Sequence, residues 1–135
     1  MYKKILVPVA LDHRPNTEVA LKVARTLLSE GGEIIAIHAM EPIPGYVSHY
    51  LPEDQIREGR EAAKAALVSE LGGVKDVKVE LINGAAGSAI TEYAADHDID
   101  CIVIASHKPG LQDYFLGSTA ARVVRHAKCA VHVVR

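Results

Sequence analysis

The sequence predicts an α/β protein, a three-layer sandwich in which a five-stranded parallel sheet carries helices on both faces. Five short apolar runs alternate along the 135 residues with segments whose apolar residues recur at helical spacing. Three of these runs are almost continuously apolar, which is typical of strands covered on both faces. Parallel strands need crossover connections, which helices supply, so the predicted order is β-α-β-α-β-α-β-α-β within one domain, residues 1–135.

The strands follow from the apolar runs. They are predicted at residues 5–9, 34–39, 77–82, 101–105 and 130–134. The third run alternates, with Val77 and Val79 against Lys78 and Glu80, so we expect it at a sheet edge with one wet face. In the last strand His132 interrupts the apolar pattern between Val131 and Val133, which indicates an edge strand whose histidine faces solvent.

Four helices are predicted from apolar stripes of period 3.6. The second of these helices, which precedes the third strand, is predicted to end at Gly72-Gly73, because glycine commonly follows the end of a helix. The stripes, in chain order, are Ala20, Val23, Ala24, Leu27 and Leu28; Ile56, Ala63, Leu67 and Leu71; Ile90, Tyr93, Ala94 and His97; and Ala120, Val123, Val124 and Ala127.

Residues 41–52 are the least regular part of the chain. Three prolines and a glycine there are expected to exclude a helix or a central strand. The segment leaves the carboxyl end of the second strand, where it is expected to serve either as a lid or as a plain surface connection.

Composition narrows the function classes. The formal net charge of -2 argues against non-specific nucleic-acid binding, and no apolar stretch is long enough for a membrane span. The first apolar run contains Pro8 and lacks a small-residue cleavage site, so it reads as a strand rather than a signal peptide. The two cysteines, Cys101 and Cys129, are expected to be small buried hydrophobes in a reducing, cytoplasmic setting. The seven histidines form no metal-binding motif.

The most informative feature is the loop between the fourth and fifth strands. Gly117-Ser118-Thr119 opens a helix whose first N–H groups have no internal partner, which predicts an anion site. Ligands of open parallel sheets bind at the carboxyl ends of the strands, and small residues dominate those exits here. The candidate ligand-binding residues at these exits are Pro8, Val9, Ala10, Asp12, Ala39, Gly84, Ser106, His107, Lys108, Gly110, Gly117, Ser118 and Thr119. No catalytic residue and no metal ligand is assigned.

Three parts of the sequence carry a family resemblance: the initial ILVPV, the glycine turn after the third strand, and IVIASHKPG with LGSTAARVVRHAKCAVHVVR at the end. All three resemble the universal stress protein family. The resemblance covers the whole chain, and ASHKP is similar to a bacterial subgroup of small single-domain members. It implies sheet order 3-2-1-4-5 and an adenine nucleotide-binding fold. Family members that bind ATP carry Gly, two residues, Gly, nine residues, Gly and then Ser or Thr. Here Ala105 and Lys108 replace the first two glycines, the 109–116 spacer is one residue shorter, and Gly117-Ser118 is intact.

The resemblance further implies where ATP would lie. Adenine would sit near Pro8, Val9 and the Ala39 backbone, with the phosphates on residues 106–110 and 117–119. Gly110 would take the conformational role of the second glycine, and Lys108 would add a charge-assisted contact to a phosphate. Ala10 stands where ATP-binding members usually have Asp, and Asp12 would cap the first helix or reach the ribose. Magnesium would be held mainly by the phosphates.

The predicted function is a nucleotide-binding stress-response regulator that is at most a slow ATPase, because the sequence has no GxxxxGK[ST] loop. The family also implies a homodimer formed by antiparallel pairing of the last strands, residues 130–134. The alternative hypothesis is a dimeric interaction or signalling protein of the same fold that has lost nucleotide binding. The departures at Ala10, Ala105 and Lys108 and the shortened 109–116 spacer favour it. A phosphoacceptor receiver domain is a weaker alternative, because Asn83-Gly84 supplies no carboxylate after the third strand.

Overall fold

A computed structural model of the chain describes residues 1–11, 14–41, 43–106 and 116–135. Its strands are β1 (Tyr2–Pro8), β2 (Leu28–Met40), β3 (Val77–Asn83), β4 (Cys101–Ala105) and β5 (Ala130–Val134). They form one parallel sheet in the order β3-β2-β1-β4-β5, which confirms the predicted topology. β3 and β5 are the edges of that sheet, as their interrupted apolar patterns indicated.

The helices of the described residues are α1 (Arg14–Leu27), α2 (Gly45–Ser48), α3 (Glu53–Glu70), α4 (Ala86–Asp96) and α5 (Ser118–His126). Alternate side chains of each strand point to opposite faces of the sheet, and two apolar clusters result. On one face Ile5 and Val7 pack with Ala20 of α1 and Leu67 of α3. On the other face Leu6 packs with residues of α4 and α5. The sheet is therefore covered on both sides, as predicted.

The predicted second strand was too short at its amino end. β2 begins at Leu28, so Leu28 lies in the strand and not in the apolar stripe of the first helix. Gly31 has φ of +79°, and the strand continues past it. A Cβ at Gly32 would lie 2.7 Å from the Lys3 carbonyl oxygen, so only glycine lets β2 approach β1 there.

Two further expectations are corrected. Residues 41–52 do contain one helical turn, α2, because Pro44 precedes the turn and Pro52 follows it, and proline is compatible with both places. Val124, predicted in the buried stripe of the last helix, is 47% exposed, whereas Ala120 and Val123 are buried. The nine-residue α5 lies on the sheet near an edge, so its buried stripe is narrower than the sequence pattern suggested.

Candidate functional site

The sheet opens where β1 and β4 part. These two strands are paired at Ile5 with Cys101 and at Leu6 with Ile102. Both strands continue beyond these pairs, β1 to Pro8 and β4 to Ala105, while β4 stays paired with β5 along its whole length. The crossovers of the chain diverge at this point, since β1 has β2 on one side and β4 on the other. Such a point is where open α/β sheets bind their ligands.

A cavity of about 640 Å³ lies at this opening, which is within the usual range for a small-molecule site. Its floor is apolar and firmly packed, with Ile104 at 4%, Ile90 at 3% and Ala120 at 2% exposure. The lining residues come from the exits of β1, β2 and β4 and from the starts of α1, α4 and α5. They are Pro8, Val9, Ala10, Leu11, Asn16, Thr17, Ala20, Ile37, His38, Ala39, Ala86, Ile90, Ile104, Ala105, Ser106, Leu116, Gly117, Ser118, Thr119 and Ala120.

Among the described lining residues, backbone N–H groups rather than charged side chains would attract an anion. None of them is Asp, Glu, Lys or Arg. The amino end of α5 faces the cavity instead, and its first intrahelical bond runs from the Ala121 N–H to the Gly117 carbonyl oxygen (2.8 Å). The N–H groups of Ser118 and Thr119 precede that bond and have no acceptor within the helix. The positive end of the helix dipole adds to their attraction for a negative group.

Ser106 ties this helix start to the sheet. Its backbone N–H donates to the Val134 carbonyl oxygen of β5 (2.8 Å), and its Oγ accepts a hydrogen bond from the Gly117 N–H (2.8 Å). Because Oγ already accepts that bond, the hydroxyl proton remains to be donated elsewhere. Ser106 therefore both positions α5 and offers a donor at the edge of the cavity.

Gly117 has an ordinary backbone conformation, with φ of −56° and ψ of 151°. A Cβ placed there would lie 3.5 Å from Ser106 Oγ, which is normal van der Waals contact. The fold therefore does not need glycine at this position. A side chain there would instead occupy space next to the N–H groups of Ser118 and Thr119.

The exit of β1 is held by β2. The Val9 N–H donates to the Ile37 carbonyl oxygen (2.8 Å), one residue beyond the end of β1. The Val9 carbonyl oxygen then accepts a hydrogen bond from Nδ1 of His38 (2.9 Å). On the other side of β2, the Gly84 N–H donates to the Met40 carbonyl oxygen (2.9 Å). Backbone groups of alternate residues in a central strand point to opposite neighbours, so those of Ala39 point towards β1 and the cavity.

The structure brings together most of the residues that the sequence singled out. Gly84 is not among the described residues that line the cavity; its φ of +128° and its bond to Met40 make it the turn residue after β3. Asp12, His107, Lys108 and Gly110 lie outside the described residues. The predicted residues that do line the cavity are Pro8, Val9, Ala10, Ala39, Ser106, Gly117, Ser118 and Thr119.

Sequence reasoning missed His38 and the helix residues of the cavity. His38 left a signal, because it is the one polar residue in the run 34–39 of an otherwise apolar strand. Asn16 and Thr17 left none, since polar residues in the first turn of a helix are common. Ile90 and Leu116 were assigned to the core or to a loop, and only the packing of α4 and α5 shows that they reach the cavity.

The described residues show neither a metal-binding cluster nor a membrane-spanning helix. They contain no group of three or more His, Cys, Asp or Glu side chains placed to hold a metal ion. Within the same residues, no helix has the length and apolarity needed to cross a membrane.

The chain was compared with known proteins. The model of the universal stress protein family matches residues 1–135. Universal stress protein A homolog 2 of Coxiella burnetii is 31% identical over 141 residues, covering 99% of this chain and 95% of the relative. A universal stress protein of Thermus aquaticus is 31% identical over 139 residues, with 100% of both chains covered. A solved structure of a protein described as hypothetical is 29% identical, with a TM-score of 0.74 and coverage of 99% and 96%.

Three solved structures of similar fold were determined with a nucleotide. A universal stress protein in complex with cAMP has a TM-score of 0.70 at 19% identity. The Archaeoglobus fulgidus protein in complex with dAMP has 0.64 at 20%. An Arabidopsis thaliana family protein with AMP bound has 0.61 at 18%, covering 98% of this chain and 90% of that chain.

Proposed function

Because the chain belongs to the universal stress protein family, we propose that it is a cytoplasmic regulatory protein that binds an adenine nucleotide, ATP in particular. The observation that carries this proposal is the cavity itself. It joins an exposed backbone edge at Ala39 to the amino end of α5, across the opening between β1 and β4. The complexes of similar structures with cAMP, dAMP and AMP support an adenine nucleotide as the class of ligand.

The adenine would lie against the exits of β1 and β2. Its Watson–Crick edge carries an acceptor, N1, beside a donor, the 6-amino group. The Ala39 peptide offers the matching N–H and C=O towards the cavity, and Pro8 and Val9 supply apolar contact. Alanine at position 39 matters here because its small side chain leaves the backbone accessible.

The phosphates would lie at the start of α5. The N–H groups of Ser118 and Thr119, the hydroxyl of Ser106 and the positive end of the helix dipole would all act as donors to phosphate oxygens. A magnesium ion would be held mainly by the phosphates, since Mg²⁺ commonly keeps several waters and few protein ligands in nucleotide sites.

The same site supports binding more than catalysis. In the described lining, His38 is the one side chain that could act as a general base, and no Lys or Arg is present to neutralise the phosphates. Efficient phosphoryl transfer needs a positioned base and fixed cations at the phosphates. We therefore propose a regulatory protein with at most slow ATP hydrolysis.

The proposal includes a homodimer formed through β5. β5 is an edge strand, and the bond from Ser106 to Val134 shows which of its residues face β4. Val131 and Val133 have the opposite parity, so their N–H and C=O groups point outwards, where a second copy can pair with them. His132 is exposed, as the sequence indicated, and does not block that edge.

Isothermal titration calorimetry and thermal shift with AMP, cAMP and ATP, the last with and without magnesium, test the nucleotide site. Binding should raise the midpoint of thermal unfolding as the ligand concentration exceeds Kd. Ribose 5-phosphate, which lacks the base, is the matched control and should bind more weakly than AMP. If neither ATP with magnesium nor AMP gives heat or stabilisation at millimolar concentration, the second candidate, an interaction protein without nucleotide, replaces this one. Ala10 and Ala105 in place of the family's Asp and Gly are the observations that favour that candidate.

A further inference from the structure

His38 is a polar residue in the apolar part of β2, residues 34–40, and the site assigned from the sequence does not use it. It follows four buried residues, Ile34 to Ile37, and is itself half-buried. Its ring is on the face of the sheet that carries α1 and α3, because it shares the parity of Ile34 and Ala36. What it contacts there is a backbone group, the Val9 carbonyl oxygen, at 2.9 Å.

That carbonyl would ordinarily belong to the β1–β2 ladder. In a regular parallel ladder, the bond from the Val9 N–H to Ile37 is followed by a bond from the Ala39 N–H to the Val9 carbonyl oxygen. The first of these bonds is present, at 2.8 Å. The second is not among the backbone bonds of the described residues, and the His38 side chain donates to the Val9 oxygen instead.

We propose that His38 is a positioning residue that ends the β1–β2 ladder one bond early and so keeps the Ala39 peptide open to the ligand. A carbonyl oxygen only accepts, so Nδ1 carries the proton in this contact. The Val9 oxygen is thereby satisfied without Ala39. The Ala39 N–H, which points towards β1, is left for a group in the cavity. This inference rests on the proposed adenine site and names the side chain that keeps it available.

The substitution His38→Leu removes the donor and keeps a side chain of similar bulk. The Val9 oxygen then recovers its ladder partner, and the Ala39 N–H is consumed by it. In the ligand-free protein, hydrogen exchange at the Ala39 amide, followed by NMR, should slow by about tenfold or more. AMP affinity should fall by about 3- to 10-fold, the equivalent of one net hydrogen bond. Ribose 5-phosphate affinity should not change, because that ligand has no base.

Asparagine provides the rescue variant. The amide nitrogen of an asparagine side chain is as many bonds from the backbone as Nδ1 of histidine, so His38→Asn can still donate to Val9. It should restore both fast exchange at Ala39 and AMP affinity. His126→Leu is the matched control, since His126 is exposed in the last turn of α5, and it should alter neither measurement.

The two readouts separate this inference from the function on which it rests. If the wild-type protein binds neither AMP nor ATP with magnesium, the proposed function fails, while exchange at Ala39 still decides whether His38 ends the ladder. If exchange at Ala39 is the same in the wild-type protein and in His38→Leu, the inference is overturned, whatever the affinity. If exchange slows in His38→Leu but AMP affinity is unchanged, His38 shapes the ladder without positioning the ligand, and the inference is likewise overturned.

Discussion

At the scale of single residues, the cavity is built from positions where a side chain is absent or small. Ala10, Ala39 and Ala105 lie at the exits of three strands, and Gly117 opens α5. Peptide groups are thereby within reach of a ligand, and they carry the hydrogen-bonding capacity that polar side chains supply in other sites. Enlarging one of these residues should therefore affect binding far more than folding.

Gly117→Val tests this expectation. The backbone there has negative φ and a Cβ meets no atom closer than 3.5 Å, so we expect the fold to persist at a cost of about 1 kcal/mol for a poorer helix start. The valine side chain would fill the space beside the α5 N–H groups and reduce nucleotide affinity by about 100-fold or more, a loss of about 3 kcal/mol. Calorimetric titration gives the affinity and circular dichroism the fold.

Gly59→Val is the control for this experiment, because Gly59 lies on α3 with no atom within 4 Å of a Cβ. Its nucleotide affinity should match that of the wild-type protein. A Gly117→Val protein that is folded and binds nucleotide with unchanged affinity would show that the phosphates do not lie at this helix.

The buried thiol of Cys101 gives a pH dependence. Burial raises the pKa of Cys101 from 9.0 to about 11. A thiol with a raised pKa in the folded state contributes stability that is fully present below pH 9 and is lost as the pH rises to about 11, on the order of 2 kcal/mol in total. Urea unfolding at a series of pH values measures this loss.

Cys101→Ala should lower stability at neutral pH and flatten the slope between pH 9 and 11. Some slope should remain, because burial also raises the pKa of Cys129 and that of the Tyr93 hydroxyl, which donates a hydrogen bond to Glu80. An identical slope in the wild-type and Cys101→Ala proteins would contradict the assignment to this thiol.

At the scale of elements, the end of α4 determines how the chain enters β4. The Ile99 N–H donates to the Ala94 carbonyl oxygen (3.0 Å), which is a common helix-ending bond, and Ile99 is buried beside it. Asp98, directly before Ile99, has φ of 54°, a conformation in which glycine is usual. Asp100 directly precedes β4, and its carboxylate accepts hydrogen bonds from the N–H groups of Lys3 and Lys4 (2.9 and 3.0 Å). These contacts hold β4 against the amino end of β1, so that the two strands part only towards the cavity.

Asp98→Gly should therefore stabilise the protein by roughly 0.5 kcal/mol, since relief of the left-handed strain exceeds the entropy that glycine adds to the unfolded chain. Asp96→Gly, two residues earlier and still helical, should destabilise it by about 1 kcal/mol. Chemical denaturation of both variants provides the comparison. Equal losses in the two variants would mean that Asp98 is not strained.

In the molecule as a whole, the two edges of the sheet differ in how they are protected. β3 is protected by charged residues on its exposed face, including Lys78, which pairs with Glu33 (3.1 Å). β5 has no such pair among the ion pairs of the described residues, and Val131 and Val133 are only half-buried. This asymmetry favours β5 as the edge that pairs with a second copy.

Val133→Pro tests the dimer without removing a strand. The Val133 N–H points away from β4, so proline there should keep the β4–β5 bonds while it removes a donor from the outer edge. Sedimentation equilibrium should show a dimer dissociation constant raised by at least about tenfold. Val133→Ala loses similar packing but keeps the N–H, and should remain a dimer. Dimers of equal strength in both variants would indicate another interface.

Most of the fold could be predicted from the sequence because its signals are local. Continuous apolar runs indicated buried strands, alternation indicated the β3 edge, and Gly72-Gly73 ended α3 with φ of 72° and 70°. The errors arose where a local signal has two meanings. Leu28 fits the apolar stripe of the first helix but begins β2, and Pro44 and Pro52 bracket a helical turn instead of excluding one.

The parallel sheet, the edge positions of β3 and β5 and the small residues at the strand exits could be predicted from the chain alone, because each depends on the order of residues along one segment. Three features required the packed fold: β1 and β4 stop pairing after Leu6, Ile90 and Leu116 line the cavity beside them, and Nδ1 of His38 donates to the Val9 carbonyl oxygen. These features join residues that are far apart in the chain, and a hydrogen bond between such residues depends on how the layers pack rather than on any local pattern.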